Sequence, residues 1–297
     1  MKPFSIKIII FFVSFVLSLL IMPLRGGYVS IGSLTAFPLA ILAYLVLYFL
    51  LTFVLLRWKG RQLKPLNITV LILIGSSLLE LPAFILEWKA TIISFLDLPC
   101  RWIAIFTAYF FYRWSAYNLR KFILLLLYAI FGLWVVLRGF DLWSNKLTFG
   151  TFTGKVTEKE QPEDIILEDN SGSEVSINSL AGKYILLNFW SSTCGYCFAE
   201  FPDLQKLYEQ KQFDDNIKIY SVHCYLKDFD EDYITGRELL VKRNYSFPVL
   251  SINMREPVLK MLEVTRFPTV LIFDPQRQLV FRGTLDFAEE YLQTVTK

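Results

Sequence analysis

The chain has one histidine and four cysteines in 297 residues, and its first half is almost devoid of acidic side chains. Each scarcity excludes something. A structural zinc site takes four Cys or His ligands. Cys194 and Cys197 would have to recruit His223 and Cys224, which are neighbours on a strand-like stretch and so point to opposite faces. No metal is expected, and no cofactor. No small-x-small cleavage pattern follows the first apolar run, and no lipobox cysteine either, so that run is read as an uncleaved anchor. Up to Lys146 there are 14 basic against 4 acidic residues, and beyond it 16 against 23. The overall charge of +3 therefore conceals a first half of net +10 and a second of net −7. The basic excess lies in short connections between apolar runs, as membrane topology places it, so no nucleic-acid partner is expected.

Hydrophobic residues make up 54% of the chain and mean hydropathy is +0.44, too apolar for an ordinary soluble protein. A membrane span needs about 20 apolar residues. Five candidates fit: 8–24, 31–56, 68–86, 91–112 and 122–143. Lys2 and Lys7 precede the first; Arg57, Lys59, Arg61 and Lys64 crowd the second connection; Arg113, Arg120 and Lys121 crowd the fourth. The first and third connections hold little besides Arg25 and Lys89. This alternation predicts a multi-pass protein of the bacterial cytoplasmic membrane, N-terminus inside, with everything after Trp143 outside. The expected organisation is a helical transmembrane domain over 1–146 in contact with the lipid bilayer, a linker over 147–162 and an α/β domain over 163–297.

The third and fourth spans are impure. "SSLLELPAF" puts Glu80 inside the third, and "FLDLPCRW" puts Asp97, Cys100 and Arg101 inside the fourth. Folded as a hairpin about Trp88–Ala90, Glu80, Asp97 and Arg101 reach similar depth, roughly 12–18 Å from the outer face. Charges there are costly unless paired and mark a candidate intramembrane site. The competing readings are a salt bridge that only locks two helices and a fourth span that starts later, leaving Asp97 at the interface. Cys100, with no second thiol in this half, reads as packing.

The second half alternates strand and helix signals. "DIILEDNSGSEVSINSL" reads as two short strands about a turn at Asn170–Gly172, and Tyr184–Trp190 as a buried strand. "CGYCFAEFPDLQKLYEQ" has helical spacing at Phe198, Phe201, Leu204 and Leu207. "IKIYSVHC" is a further strand, "TVLIFD" and "QLVFRG" form a hairpin, and the chain closes on a helix from Phe287. These elements predict an α/β domain with a central mixed sheet.

In that order "GKYILLNFW", Cys194-Gly195-Tyr196-Cys197, "AEFP", "RFPTVLIFD" and "QLVFRG" resemble the thioredoxin superfamily, and within it the membrane-attached TlpA/ResA-like redoxins of the bacterial envelope. The resemblance implies a thioredoxin fold over nearly all of 163–297. Cys194, at a strand end and helix start, faces unsatisfied backbone N–H groups that favour its thiolate, the form that attacks a disulfide. Cys197, one turn on, is placed to resolve the mixed disulfide. The resemblance further implies a cis Pro268 beside the pair, with Phe267 offering its backbone to substrate and Trp190, Gly195 and Tyr196 flanking it. Two positions depart from the pattern: Thr193 replaces a frequent Trp before the first cysteine, and Asn188 stands where thioredoxins proper bury an acid. Glu200 is an auxiliary candidate for proton transfer and Cys224 for a third redox thiol, each against a plainer packing or solvated role; His223 reads as packing.

The function expected is a membrane-tethered thiol–disulfide oxidoreductase facing the periplasm, reducing disulfides in envelope proteins. A membrane electron donor such as a thiol-reducing transporter would re-reduce it, because the membrane half has no cysteine pair. The alternative is a binding or assembly protein, with a partner or hydrophobic-ligand site near Glu80 and Arg101 and the thioredoxin-like half as docking module. The absence of Pro-x-x-x-Thr-x-x-Cys argues against a peroxidase of the peroxiredoxin type.

Overall fold

The computed structural model describes residues 3–26, 30–31, 34–114, 118–160, 164–180 and 184–295; Lys2 lies outside them. The chain divides into two compact units, Met1–Ser144 and Asn145–Lys297.

In the first unit α1 (Pro3–Ile21) is followed by a 3-10 turn to Gly26 and a two-rung ladder of β1 (Ser30–Ile31) with β2 (Leu34–Thr35). Then come α2 (Ala36–Lys59), α3 (Pro65–Ser77), α4 (Glu80–Leu86), α5 (Trp88–Thr91), α6 (Asp97–Arg113), α7 (Asn118–Trp134) and, across a π turn, α8 (Phe140–Phe149), whose residues from Asn145 on belong to the second unit. The second expected span thus starts at Ala36, not at residue 31, because residues 30–35 form the ladder. At 24 residues α2 is still ~36 Å long, enough to cross. The last span runs on, as Leu119–Phe149.

Among the described residues three helices pass as spans by length and composition, and five segments do so when each of two bent pairs counts as one. The pairs are Pro65–Ser77 with Glu80–Leu86 and Trp88–Ser94 with Asp97–Arg113, each bent by 49°. Their cause is legible in the chain. Glu80-Leu81-Pro82 and Asp97-Leu98-Pro99 repeat one pattern of acid, leucine and proline. A proline clashes with the carbonyl four residues earlier, which is Leu78 in one pair and Phe95 in the other, and the breaks fall there. Each acid therefore opens the second half-helix, where free N–H groups favour a carboxylate.

Hydroxyls and small residues hold this bundle together. A Cβ on Gly75 would lie 2.5 Å from the carbonyl oxygen of Phe11, so only glycine permits the approach of α3 to α1. Ser14 and Ser18 then donate across to the carbonyls of Ile72 and Ser76 at 2.8 and 3.0 Å.

The second unit is built on an eight-stranded sheet. Its strands are β3 (Lys155–Glu160), β4 (Ile166–Glu168), β5 (Glu174–Ser176), β6 (Tyr184–Trp190), β7 (Ile217–Tyr225), β8 (Val249–Asn253), β9 (Thr269–Phe273) and β10 (Leu279–Gly283), ordered β3-β10-β9-β6-β7-β8-β4-β5. β6, β7 and β8 run parallel and the remaining pairs antiparallel. The helices are α9 (Gly195–Lys211), α10 (Thr235–Lys242), α11 (Pro257–Met261) and α12 (Leu285–Val295). Strands β7-β6-β9-β10 with α9 and α12 make the thioredoxin core, and β8 extends it beside β7. Central β6, "YILLNFW", is apolar almost throughout because both of its faces are covered. The segment 147–162 was expected as a linker, but its described residues 147–160 are not structureless: α8 reaches Phe149, and β3 pairs with β10 through Phe281↔Lys155 and Leu279↔Glu160. The polar, charged sequence of β3 concealed it, as edge strands permit.

Candidate active site

The end of β6 leads through Ser191, Ser192 and Thr193 into α9. Cys194 is the N-cap of α9, and its Sγ accepts the N–H of Cys197 at 3.1 Å. The two cysteines form a disulfide with Cα atoms 5.3 Å apart. Cys197 is fully buried while Cys194 is half-exposed, so only the first sulfur is open to a partner. Beside it Gly195 is exposed, with nothing within 4 Å of where a Cβ would sit, and Tyr196 is 71% exposed. The pairing Phe189↔Thr269 brings the start of β9 to this end of the sheet, and the Phe267–Pro268 peptide just before it is cis. Phe267 and Pro268 are half-buried there.

Trp190 does not flank the substrate. It is fully buried beneath α9, with ring centroids 5.0 Å from Phe201, 5.8 Å from Phe198 and 4.7 Å from His223. As the last residue of a strand covered on both faces it is a packing residue. His223 is also buried, in close contact with Gly236, and burial holds its imidazole down to about 4, so it stays neutral. Cys224 lies on the other face in the main core cluster, fully buried, its thiol pushed up by desolvation. A third redox thiol there has no access to partner or solvent.

Glu200 gains the most from the structure. It lies three residues after Cys197, on the same side of α9. Asn188 Nδ2 donates to its Oε2 at 3.2 Å, and the N–H of Leu285 to its Oε1 at 3.4 Å. Burial pushes its carboxyl up to about 7 from an ordinary 4.5, against the lowering effect of these two bonds. The asparagine that left the site without an obvious base in the sequence is thus the residue that holds one. A second tie escaped the sequence: Ser192 donates to Glu231, whose other oxygen takes the N–H of Leu226 at 3.1 Å, joining the loops after β6 and β7.

The raised value of Glu200 has a definite sign for stability. The folded oxidised domain keeps a proton that the unfolded chain releases above about 4.5, so its contribution is full below that pH and falls as pH rises to about 7. The loss is at most roughly 3 kcal/mol. Glu200→Gln is expected to flatten the pH dependence of unfolding between pH 5 and pH 8, measured on the purified chain; an unchanged slope would show that Glu200 is not the titrating group.

The first unit holds a separate cluster. Glu80, Asp97 and Arg101 do meet, all buried, and Arg25 joins them. Arg101 pairs with Glu80 and donates to Ser18 Oγ at 2.6 Å, while Arg25 pairs with Glu80 and lies 2.6 Å from Asp97. Tyr44 lies under the Arg101 guanidinium at 4.8 Å. Two acids and two bases close a neutral network on helices bent by Pro82 and Pro99.

Residues 159–282 match the AhpC/TSA family. The chain is 28% identical over 131 residues to the thiol-disulfide oxidoreductase ResA of Bacillus subtilis, covering 43% of this chain and 69% of that one. To the thioredoxin-like protein YneN of the same organism it is 28% identical over 140 residues, 47% of this chain and 79% of that one. Among solved structures, the thioredoxin domain of a thiol-disulfide oxidoreductase from Bacteroides vulgatus aligns at 22% identity and a TM-score of 0.40, over 47% of this chain and 99% of that one.

Proposed function

We propose that this chain, whose second half is a thiol–disulfide oxidoreductase domain of the thioredoxin type, is tethered by its apolar helices to the bacterial cytoplasmic membrane and reduces disulfides of envelope proteins on the outer side. The observation that carries the reading is the Cys194–Cys197 couple at the N-cap of α9, one sulfur open and one buried, with Glu200 held one turn further on.

In the reduced domain the Cys194 thiolate, favoured by the Cys197 N–H and the helix N-terminus, attacks one sulfur of a client disulfide. The client bond breaks, a mixed disulfide forms, and the departing client thiolate takes a proton. Glu200, ionised, accepts the thiol proton of Cys197, whose sulfur then attacks Cys194 and releases the second client thiol. Two electrons pass from the dithiol to the client, and the domain ends as the disulfide seen here. The exposed Gly195–Tyr196 edge and the backbone before Pro268 receive the client. A membrane thiol donor restores the dithiol, a task for which the first half has no cysteine pair. Among the described residues the four-charge cluster links groups of the helical unit to one another, which favours a structural role over the alternative partner or ligand site.

Trapping thiols in living cells with an alkylating reagent tests direction and side together. The account expects Cys194 and Cys197 mostly reduced at steady state, and modified by a reagent that does not cross the cytoplasmic membrane. A pair that stays oxidised would reverse the direction; one reached only by a membrane-permeant reagent would reverse the topology.

A further inference from the structure

The helical unit separates its charges. Its four acids up to Lys146 are Glu80, Glu87, Asp97 and Asp141, so residues 1–79 and 98–140 contain none. At the end of the bundle that the charge pattern assigns to the cytoplasm, three cations from three helices converge on one cavity of about 340 Å³. They are Arg57 in the last turn of α2, Arg113 in the last turn of α6 and Lys121 in the first turn of α7, with Phe53, Phe111 and Tyr112 as the remaining walls. Lys121 Nζ sits 5.0 Å over the Phe111 ring, and a Cβ at Gly60 would lie 2.7 Å from the Tyr112 hydroxyl, so the turn after α2 packs closely against α6. The only acid on these three helices is Asp97, sixteen residues or ~24 Å along α6 from Arg113.

Helix C-termini at α2 and α6 favour cations, but only by a few tenths of a kcal/mol to about 1 each, and Lys121 lies at a helix start, where a cation is disfavoured. Solvated topology signals would not need to share a walled cavity. One turn deeper, Val54 and Phe110 are exposed on the helices that carry Arg57 and Arg113, and Phe122 is exposed next to Lys121. A small soluble anion makes no use of that surface, whereas a molecule with an anionic head and apolar tails covers both parts.

We propose that this cavity binds the phosphate headgroup of an anionic phospholipid, its acyl chains lying along Val54, Phe110 and Phe122. The inference rests on the membrane reading above. The test is native mass spectrometry of the delipidated full chain in detergent, titrated with dioleoyl-phosphatidylglycerol, dioleoyl-phosphatidylcholine or inorganic phosphate. Phosphatidylglycerol is expected to bind at least tenfold tighter than phosphatidylcholine. The combined Arg57→Gln, Arg113→Gln and Lys121→Gln chain should lose about a hundredfold, and each single substitution about fivefold, at roughly one lipid-facing cation apiece. Arg61→Gln with Lys64→Gln, in the neighbouring connection, should leave affinity within about threefold. Equal binding of the two lipids, no loss in the three single variants, an equal loss in the Arg61/Lys64 control, or displacement by phosphate at matching concentration would each overturn the lipid site. Release of the chain from membranes by alkaline carbonate would instead overturn the membrane reading, and the lipid site with it.

Discussion

Cys194→Ser in the full chain is expected to lower the rate of disulfide reduction by ~10³-fold or more, whereas Cys197→Ser should stall the reaction with client attached. The asymmetry follows from exposure. The Cys194 sulfur is half-exposed at the helix start and receives the Cys197 N–H, so it supplies both access and thiolate. A serine hydroxyl at that position is far too weak an acid to be ionised near neutral pH, and loss of a nucleophile removes most of the rate. Cys197 is fully buried and meets no client directly. Its replacement leaves the first attack possible and removes only the thiol that resolves it. Gel-shift assays with a disulfide-bonded protein substrate read both effects: equal residual rates in the two variants, or a Cys194→Ser chain that still turns over, would refute the assignment of roles.

Arg101→Met is expected to destabilise the helical unit by about 3–5 kcal/mol, because it leaves Glu80 and Asp97 sharing a single cation within a fully buried site. The same substitution combined with Glu80→Gln should recover a large part of the loss, since the Arg25–Asp97 pair at 2.6 Å then remains balanced. Thermal unfolding of the purified chain in detergent, monitored by circular dichroism, gives the comparison. A single variant within about 1 kcal/mol of the unsubstituted chain would mean that the network does not hold the bent helices together.

Most of the α/β half could be read from the chain because its signals are local and redundant. The β6 boundaries follow from a run that is apolar except for Asn188, and α9 follows from its cap and spacing. What escaped depended on contacts between distant segments. β3 is polar and joins the sheet only by pairing with β10, more than a hundred residues later. The resemblance placed Trp190 beside the substrate, but β6 is central and buries it. Asn188, a departure from the thioredoxin pattern, and Glu200, a proton-transfer candidate, lie twelve residues apart and were read separately; only the packing of α9 on β6 joins them.

In the helical half the long apolar helices were legible from hydropathy, while their breaks required noticing that Pro82 and Pro99 follow an acid and a leucine in the same order. Arg25 was read as a connection charge because it ends an apolar run. The turn after α1 instead directs it at Glu80 and Asp97. Charge balance offered a signal: the third and fourth apolar segments hold two acids, Glu80 and Asp97, against one base, Arg101, which leaves one positive charge missing, and Arg25 supplies it.

The central claim, that Cys194 is the attacking sulfur of a disulfide-reducing couple, is tested most directly by peptide mapping of the Cys197→Ser chain after reaction with a disulfide-bonded protein. A mass adduct through a mixed disulfide on Cys194, sensitive to reductant, is expected. No adduct there, or an equal adduct on Cys100 or Cys224, would contradict it.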